Sequence, residues 1–233
     1  KPAYPASSRA REALEVHIKV LMNLVVLRKV GHNEQVEVTT PVIITWNNFK
    51  SRMVGDFRVL NTYIIPSRYP ILRIHETLTQ MSKVKFITAI DALKGFHQNV
   101  LPDIANKLLR IIVHCRIYKY LRMPFGIKNA PYHFQRIMNN IFPEYLSEGC
   151  SIIYVDDIIG RSEAWESHLT RLESVIQKIG QVNIKIFLKK CHFSYIELKA
   201  LGQVVSGLSL GIDKNKVAAV LLKPMPQTKK GIQ

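Results

Sequence analysis

The stretch Ser151-Ile-Ile-Tyr-Val-Asp-Asp-Ile-Ile159 constrains this chain more than any other. Two adjacent carboxylates, Asp156 and Asp157, interrupt an otherwise apolar run. Aliphatic residues on both sides of a polar centre predict a β-hairpin whose tip carries the acids. Strands that apolar are buried, so the acids sit against a core rather than on a solvated face. A tight Asp-containing turn is the plain structural alternative, because Asp side chains hydrogen-bond the backbone of turns. A third acid argues against it: Asp91 ends a second apolar strand, Lys85-Phe-Ile-Thr-Ala-Ile-Asp91. Three carboxylates at strand ends can hold two hard cations about 3.5–4 Å apart, the spacing that in-line attack at a phosphate needs.

The charge balance points the same way. Lys and Arg number 33 against 17 Asp and Glu, a net charge of +16 in 233 residues. Such an excess implies a polyanionic partner, most simply nucleic acid. A basic membrane-surface protein is the other class, but no Lys-rich amphipathic helix or lipidation signal supports it. No apolar run reaches the length of a membrane span, and no signal peptide is evident. An apolar content of 47% suits a globular chain, as one large domain or two to three subdomains. Cys115, Cys150 and Cys191 include no pair at metal-ligand spacing, which fits buried thiols in a reducing compartment. Both ends read as interior sequence, so a piece cut from a longer chain is expected.

Taken in order, Ser7 or Ser8 caps a helix with Leu14, Ile18, Leu21 and Val25 at three- and four-residue steps, ending before Gly31. Val36 to Trp46 reads as a strand and turns back through Asn47–Lys50 as a hairpin with a basic tip. On a continuing strand to Asn61, Lys50, Arg52, Asp56 and Arg58 alternate and so share one face. That face is either simply solvated or grips phosphate through Arg forks. Pro66 to Pro70 breaks the chain, and Ile71 to Met81 reads as a short helix. Phe96 follows Asp91 by five residues and is either core or a substrate contact. Leu108 to Met123 is β-rich and carries Arg110, Arg116, Lys119 and Arg122. Met123 to Pro131 is a loop feeding a helix with Phe134, Ile137, Met138 and Ile141; its Gly126 and Lys128 lack P-loop spacing. Ser162 is expected to cap a helix closed by Gly180. Strands are expected at Asn183–Leu188 and Leu198–Val205, the latter with Gly202 admitting close approach of a backbone. The histidines do not gather; His17, His75 and His168 read as surface or satisfied core positions. No Ser/His/Asp or Cys/His arrangement can be assembled.

The order of the pieces carries a resemblance. Arg52…Asp56-Phe-Arg58…Asn61 comes first, then Asp91…Phe96, then Pro124-Phe-Gly126…Asn129-Ala-Pro131…Phe134-Gln135. Tyr154-Val-Asp-Asp157, Lys189-Lys190-Cys191 and Leu201-Gly202 complete the series. From about Pro5 to Gln233 this resembles the reverse transcriptase of long-terminal-repeat retrotransposons of the gypsy (Ty3-like) group, particularly fungal-type elements.

The resemblance implies an α+β right-hand polymerase fold. Fingers would span 1–65 and 99–129, palm 66–98 and 130–207, and the start of a thumb 208–233. It implies that Asp91, Asp156 and Asp157 bind two Mg²⁺ ions, with Mn²⁺ as a substitute. Lys50 and Arg52 would touch the incoming triphosphate, and Phe125 and Gly126 would lie beside the nucleotide. The ring of Phe96 would exclude a ribose 2′-hydroxyl. Lys189 or Lys190 would protonate the leaving pyrophosphate, and Leu201, Gly202 and Gln203 would grip the primer end. Asp56, Arg58, Asn61, Tyr154 and Gln135 are supporting positions. Implied partners are an RNA or DNA template with its primer, deoxynucleoside triphosphates, and the protease, ribonuclease H and integrase regions of a polyprotein, with no membrane. The implied location is an intracellular, cytoplasmic virus-like particle.

The chain departs from the family pattern at Asn48-Phe49 in place of an Asp-Gly turn, at Arg116 and Lys119 in place of a glycine and an acid, and at Gly160-Arg161 in place of an apolar-aromatic pair. The rival expectations are a nucleic-acid-binding fragment of the same fold without activity, an RNA-templated RNA polymerase, which Phe96 argues against, and a basic scaffold that packages RNA.

Overall fold

Leu14 and Ile18, four residues apart, are the buried stripe of the first helix, α1 (Ser8–Asn23). Ser7 stands extended at its start and accepts the Ala10 N–H at 3.4 Å, the cap the sequence anticipates. In the computed structural model, which describes residues 1–48, 50–71, 84–114, 116–147, 151–200, 203–206, 210–211, 218 and 221–222, the chain continues with β1 (Leu27–Lys29), β2 (Thr40–Asn47), β3 (Lys50–Gly55) and α2 (Arg58–Tyr63). Next come β4 (Phe86–Asp91), a 3₁₀ turn (Gly95–Gln98), α3 (Asp103–Leu108), β5 (Arg110–Val113) and β6 (Arg116–Tyr120). Then follow α4 (Ala130–Ile141), α5 (Pro143–Ser147), β7 (Ser151–Tyr154), β8 (Asp157–Ser162) and α6 (Trp165–Gln181). A 3₁₀ turn (Leu188–Lys190) leads into β9 (His192–Tyr195), β10 (Glu197–Ala200), β11 (Gln203–Ser206) and β12 (Leu210–Gly211). None of the described helices is long and apolar enough to cross a membrane.

Two units are distinguishable, Lys1–Ile71 with Ala92–Ile141, and Leu72–Asp91 with Phe142–Gln233. The first holds a five-stranded sheet in the order β1-β6-β5-β2-β3, antiparallel except where β2 runs parallel to β5. Leu14 and Ile18 of α1 join Val26, Leu27, Phe57, Ile111, Val113, Tyr118 and Tyr120 in its core. The second holds a four-stranded sheet, β7-β8-β4-β9, and a three-stranded one, β10-β11-β12. Its core is Val84, Ile87, Ile152, Ile159, Leu198 and Val205. His168 of α6 is buried there, its Nε2 2.9 Å from Thr88 Oγ1, which makes it a satisfied core histidine. The same hydroxyl accepts the Ser194 N–H at 3.0 Å and so ties β9 to β4.

Several expected boundaries move, each for a local reason. The strand expected from Val36 begins only at Thr40, and the three-residue β1 precedes it unannounced. The strand expected through Asn61 stops at Gly55, because Asp56 turns the chain and α2 begins at Arg58. Gly55 is required there: a Cβ would lie 2.6 Å from the Phe57 ring, which packs back over it. Ser162 is the last residue of β8 rather than a cap; Ala164 precedes α6 without a side-chain cap, and the helix runs through Gly180 to Gln181. Asn183–Leu188 forms no strand, since Asn183 takes a left-handed turn (φ 58°) and Leu188 enters a 3₁₀ turn. Leu198–Val205 is two paired strands, β10 and β11, rather than one. The helix expected at Ile71–Met81 lies, beyond Ile71, outside the described residues.

Candidate active site

The pairing of β4 with β8 sets Asp91 directly opposite Asp157, and the pairing of β7 with β8 sets Asp157 opposite Tyr154. Asp156 lies in the two-residue turn between those strands, so the three acids gather at one end of one sheet. The turn is strained. Val155, a β-branched residue, has φ 51°, a left-handed conformation that costs an L-residue about 1–2 kcal/mol. All three acids are half-buried, and Asp156 Oδ1 is buried with no hydrogen-bond partner among the described residues.

The electrostatics follow from that placement. Burial, then the charges of Asp157 and Asp91, push the Asp156 carboxyl up to about 6, with Lys190 opposing. Burial and Asp91 push Asp157 up as well. Lys190 Nζ stands 3.2 Å from Asp91 Oδ2. Its 3₁₀ turn is anchored to the end of β4 by the Phe187 N–H donating to the Asp91 carbonyl at 2.9 Å. Lys189 and Lys190, with His192 and Lys199, line a cavity of about 310 Å³ shared with Asp91 and Asp157. Tyr154, beside the acids, is half-buried.

Among the described residues, no three His, Cys, Asp or Glu side chains converge closely enough to hold a metal ion as they stand. The donor chemistry nonetheless fits a hard divalent cation: three carboxylates, an orphaned Asp156 oxygen, and a cation already standing at Asp91.

In the other unit, the β2–β3 hairpin has two unlike faces. Ser51 and Met53 are half-buried, whereas Lys50 and Arg52 are exposed, opposite Asn47 and Thr45. Asn48 takes the left-handed turn at φ 44°; Phe49 lies outside the described residues. Asp56 and Arg58, expected on the same face as Lys50, are not on the strand. Arg58 forks onto Asp56 through Nε (2.7 Å) and Nη2 (2.9 Å), and the Tyr4 hydroxyl donates to Asp56 at 2.6 Å. Those hydrogen bonds, Arg58's first, hold the Asp56 carboxyl well below the usual carboxylate range. The pair therefore satisfies itself, and its role is to turn the chain.

Asn61 clamps the loop that follows β6, donating to the Gly126 carbonyl at 2.8 Å and accepting the Lys128 N–H at 2.9 Å. Gly126 has φ 92°, a conformation that needs glycine. Asn129 does a similar service for the 65–67 segment, accepting from the Ser67 N–H and donating to the Ile65 carbonyl. Phe96 is half-buried in its 3₁₀ turn, its ring 5.3 Å from that of Phe125 and 5.4 Å from that of Phe134. Phe125 is 45% exposed. Gln135 is buried in α4 and donates to Asn139, which donates to the Tyr69 hydroxyl. His97 also belongs to the aromatic cluster, 4.9 Å from Phe125, with burial and then Lys94 lowering its pKa to about 4. Sequence reasoning missed His97, Tyr4 and the bonds of Asn129; Tyr4 and Asp56 are 52 residues apart. Gln203 opens β11, half-buried, while Leu201 and Gly202 lie outside the described residues.

Residues 46–205 match the family described as reverse transcriptase (RNA-dependent DNA polymerase). The chain is 39% identical over 184 residues to the retrovirus-related Pol polyprotein from transposon 297 of Drosophila melanogaster, covering 79% of this chain and 17% of that protein. It is 33% identical over 181 residues to the Pol polyprotein from transposon gypsy of the same fly, covering 78% of this chain and 17% of the relative. To the transposon Tf2-3 polyprotein of Schizosaccharomyces pombe it is 29% identical over 182 residues, 78% of this chain and 14% of the relative. The chain thus spans less than a fifth of the length of these relatives. Among solved structures, the foamy viral protease-reverse transcriptase dRH in complex with double-stranded DNA superposes with a TM-score of 0.89 at 22% identity, covering all of this chain and 40% of that one. The foamy viral protease-reverse transcriptase with an RNA/DNA hybrid gives 0.88 at 21%, covering all of this chain and 31% of that one.

Proposed function

The chain belongs to the reverse transcriptase family, and on that premise we propose that it adds deoxynucleotides to a primer 3′ end under the direction of an RNA or DNA template. Its fold is the α+β right hand of polymerases. The observation that carries the reading is the register: β4 and β8 pair so that Asp91 faces Asp157, with Asp156 in the adjoining turn. In this reading fingers span 1–65 and 99–129, palm 66–98 and 130–207, and the thumb begins at 208.

Asp91, Asp156 and Asp157 would hold the divalent ions, Mg²⁺ or Mn²⁺. Bound there, such ions lower the pKa of a primer hydroxyl and steady the pyrophosphate that leaves. The chain's own residues do the rest. Lys189 or Lys190 delivers a proton to the departing pyrophosphate, and the 3.2 Å pair of Lys190 Nζ with Asp91 favours Lys190. On this reading Lys50 and Arg52, on the exposed face of β3, are the residues assigned to the triphosphate. Phe96, braced by Phe125 and Phe134, limits the room beneath the nucleotide sugar. Leu201, Gly202 and Gln203 hold the primer end. Deoxynucleoside triphosphates, a primed template and the protease, ribonuclease H and integrase regions of the polyprotein are the partners, and a cytoplasmic virus-like particle is the setting.

Primer extension on an RNA template with Mg²⁺, comparing deoxy- with ribonucleotides, tests the reading. Extension with deoxynucleotides is expected. Nucleic-acid binding without extension would make this chain an inactive binding fragment instead.

A further inference from the structure

In the five-stranded sheet three cations stand in a row. Arg28 of β1 lies directly opposite Lys119 of β6, and Lys119 lies directly opposite Arg110 of β5. Directly opposed residues of adjacent strands share a face, and like charges there repel. Neither the turn chemistry nor the sheet needs such a row, and nothing in the proposed chemistry uses it.

One carboxylate answers two of the three. Glu34 accepts from Arg28 Nη2 at 3.0 Å and from Lys119 Nζ at 2.5 Å. It also accepts the Gly31 N–H at 3.3 Å. The bonds from Lys119 and then Gly31 are the main causes that hold its carboxyl near 2. Glu34 sits in the stretch 30–39, which has no helix or strand. Its side chain is partly exposed, whereas that of Lys119 is largely covered.

Arg110 is the unanswered member. It is only 4% exposed, yet among the described residues no carboxylate lies within ion-pair distance of it. One Nη1 hydrogen bond goes to the Gln35 carbonyl, beside Glu34, and its Nε is buried with no partner. A buried cation without a counter-charge is costly to the fold. A guanidinium and an ammonium on one carboxylate, with a second guanidinium bonded to the next residue's carbonyl, make a donor set that suits a phosphate.

We propose that Arg28, Lys119 and Arg110 form a phosphate site which the chain's own Glu34 fills in this structure, and that a backbone phosphate of single-stranded nucleic acid displaces it. The inference rests on the polymerase reading for the source of the phosphate. Glu34 then acts as an internal competitor: binding a strand there costs the Glu34 contacts and gains a charge partner for Arg110.

The test measures binding of a fluorescent single-stranded oligonucleotide to the whole chain by anisotropy, over a range of salt, for the parent and for Glu34→Gln. Release of the competitor should tighten binding by roughly tenfold at low salt and steepen the log-affinity against log-salt line by about one. Unchanged affinity with a lowered Tm would overturn the proposal, leaving Glu34 as a structural ion-pair partner. Should inorganic phosphate raise the Tm of Glu34→Gln while oligonucleotide affinity stays put, the site takes free phosphate and the nucleic-acid assignment falls. If Glu34→Gln does not fold, Lys119→Met decides: loss of affinity supports the site, and unchanged affinity removes it. A parent chain that binds no oligonucleotide at any salt contradicts the polymerase reading itself; one that binds, with no gain in the variant, contradicts only this site.

Discussion

Asp56 and Asp156 are the same residue at the end of an apolar segment, and the fold treats them oppositely. Asp56 is taken up completely: an Arg58 fork, a Tyr4 hydroxyl and a backbone N–H surround it, and its carboxyl is driven down. Asp156 is left with a buried oxygen that nothing among the described residues donates to, the like charges of Asp157 and Asp91, and a carboxyl pushed up. One acid is spent on the fold; the other is held ready at the fold's expense. Unsatisfied groups and strained backbone mark a ligand site more reliably than acidity itself, and the left-handed Val155 belongs to the same pattern.

The largest effect expected from this contrast is on catalysis. Asp157→Asn should lower primer extension by on the order of a thousandfold, because losing one carboxylate forfeits several kcal/mol of charge stabilisation at the reacting phosphate. Template binding, measured by anisotropy, should be nearly unchanged, since it draws on Lys and Arg elsewhere. Parallel loss of binding and extension would give the hairpin acids the same structural part as Asp56.

Phe96 is intermediate in character, half-buried yet packed on two rings. Phe96→Val should raise ribonucleotide use relative to deoxynucleotide use by about tenfold or more, by removing overlap with a 2′-hydroxyl. A core phenylalanine would instead show about 3–5 kcal/mol of lost stability on truncation, with both activities falling together. Incorporation of each nucleotide type beside a melting curve separates the outcomes.

Asp56→Asn should cost the fold rather than the chemistry. It leaves the Arg58 fork and the Tyr4 hydroxyl without their charged acceptor, and a fall in Tm of about 3–6 °C is expected. Extension per folded molecule should hold. A selective loss of extension with an unchanged Tm would move Asp56 into the site.

The smallest effect lies behind the hairpin. Gly160 of β8 has no left-handed φ, and a Cβ there would meet only Thr88, at 3.9 Å. Gly160→Ala should therefore stabilise by about 0.5–1 kcal/mol, read as a higher denaturant midpoint. A lower midpoint would mean that the hairpin needs the freedom of a glycine.

The site was legible where pattern and chemistry coincide. Apolar strands ending in acids announce β4, β7 and β8, and their antiparallel pairing brings Asp91 to Asp157. Helix α1 was legible from its three- and four-residue steps and its serine cap. Alternation misled at Lys50–Arg58, where the period of two persists past Gly55 but the Phe57 ring folding over that glycine ends the strand. The three residues of β1 carry too little pattern to be noticed. Tyr4 to Asp56 and Asn61 to Gly126 are long-range bonds, and nothing local to either partner announces the other. Strands β10 and β11 read as one because the residues of both favour strands.

The most direct measurement of the contrast between the two acids is a paired one on Asp156→Asn, with Tm taken in metal-free buffer and extension taken with Mg²⁺. The folded-state pKa of Asp156, near 6, lies above its ordinary value of 3.8, so the native state binds the proton more tightly. Ionising this carboxyl costs the fold nothing below about pH 4, progressively more from there to about pH 6, and its full amount above. Asp156→Asn should accordingly stabilise the fold at neutral pH by on the order of 1 kcal/mol once solvent screening is allowed for, read as a higher Tm, with the gain fading toward pH 4. The same variant should lose primer extension. A lower Tm with extension intact would contradict the account, and would make Asp156 a second Asp56.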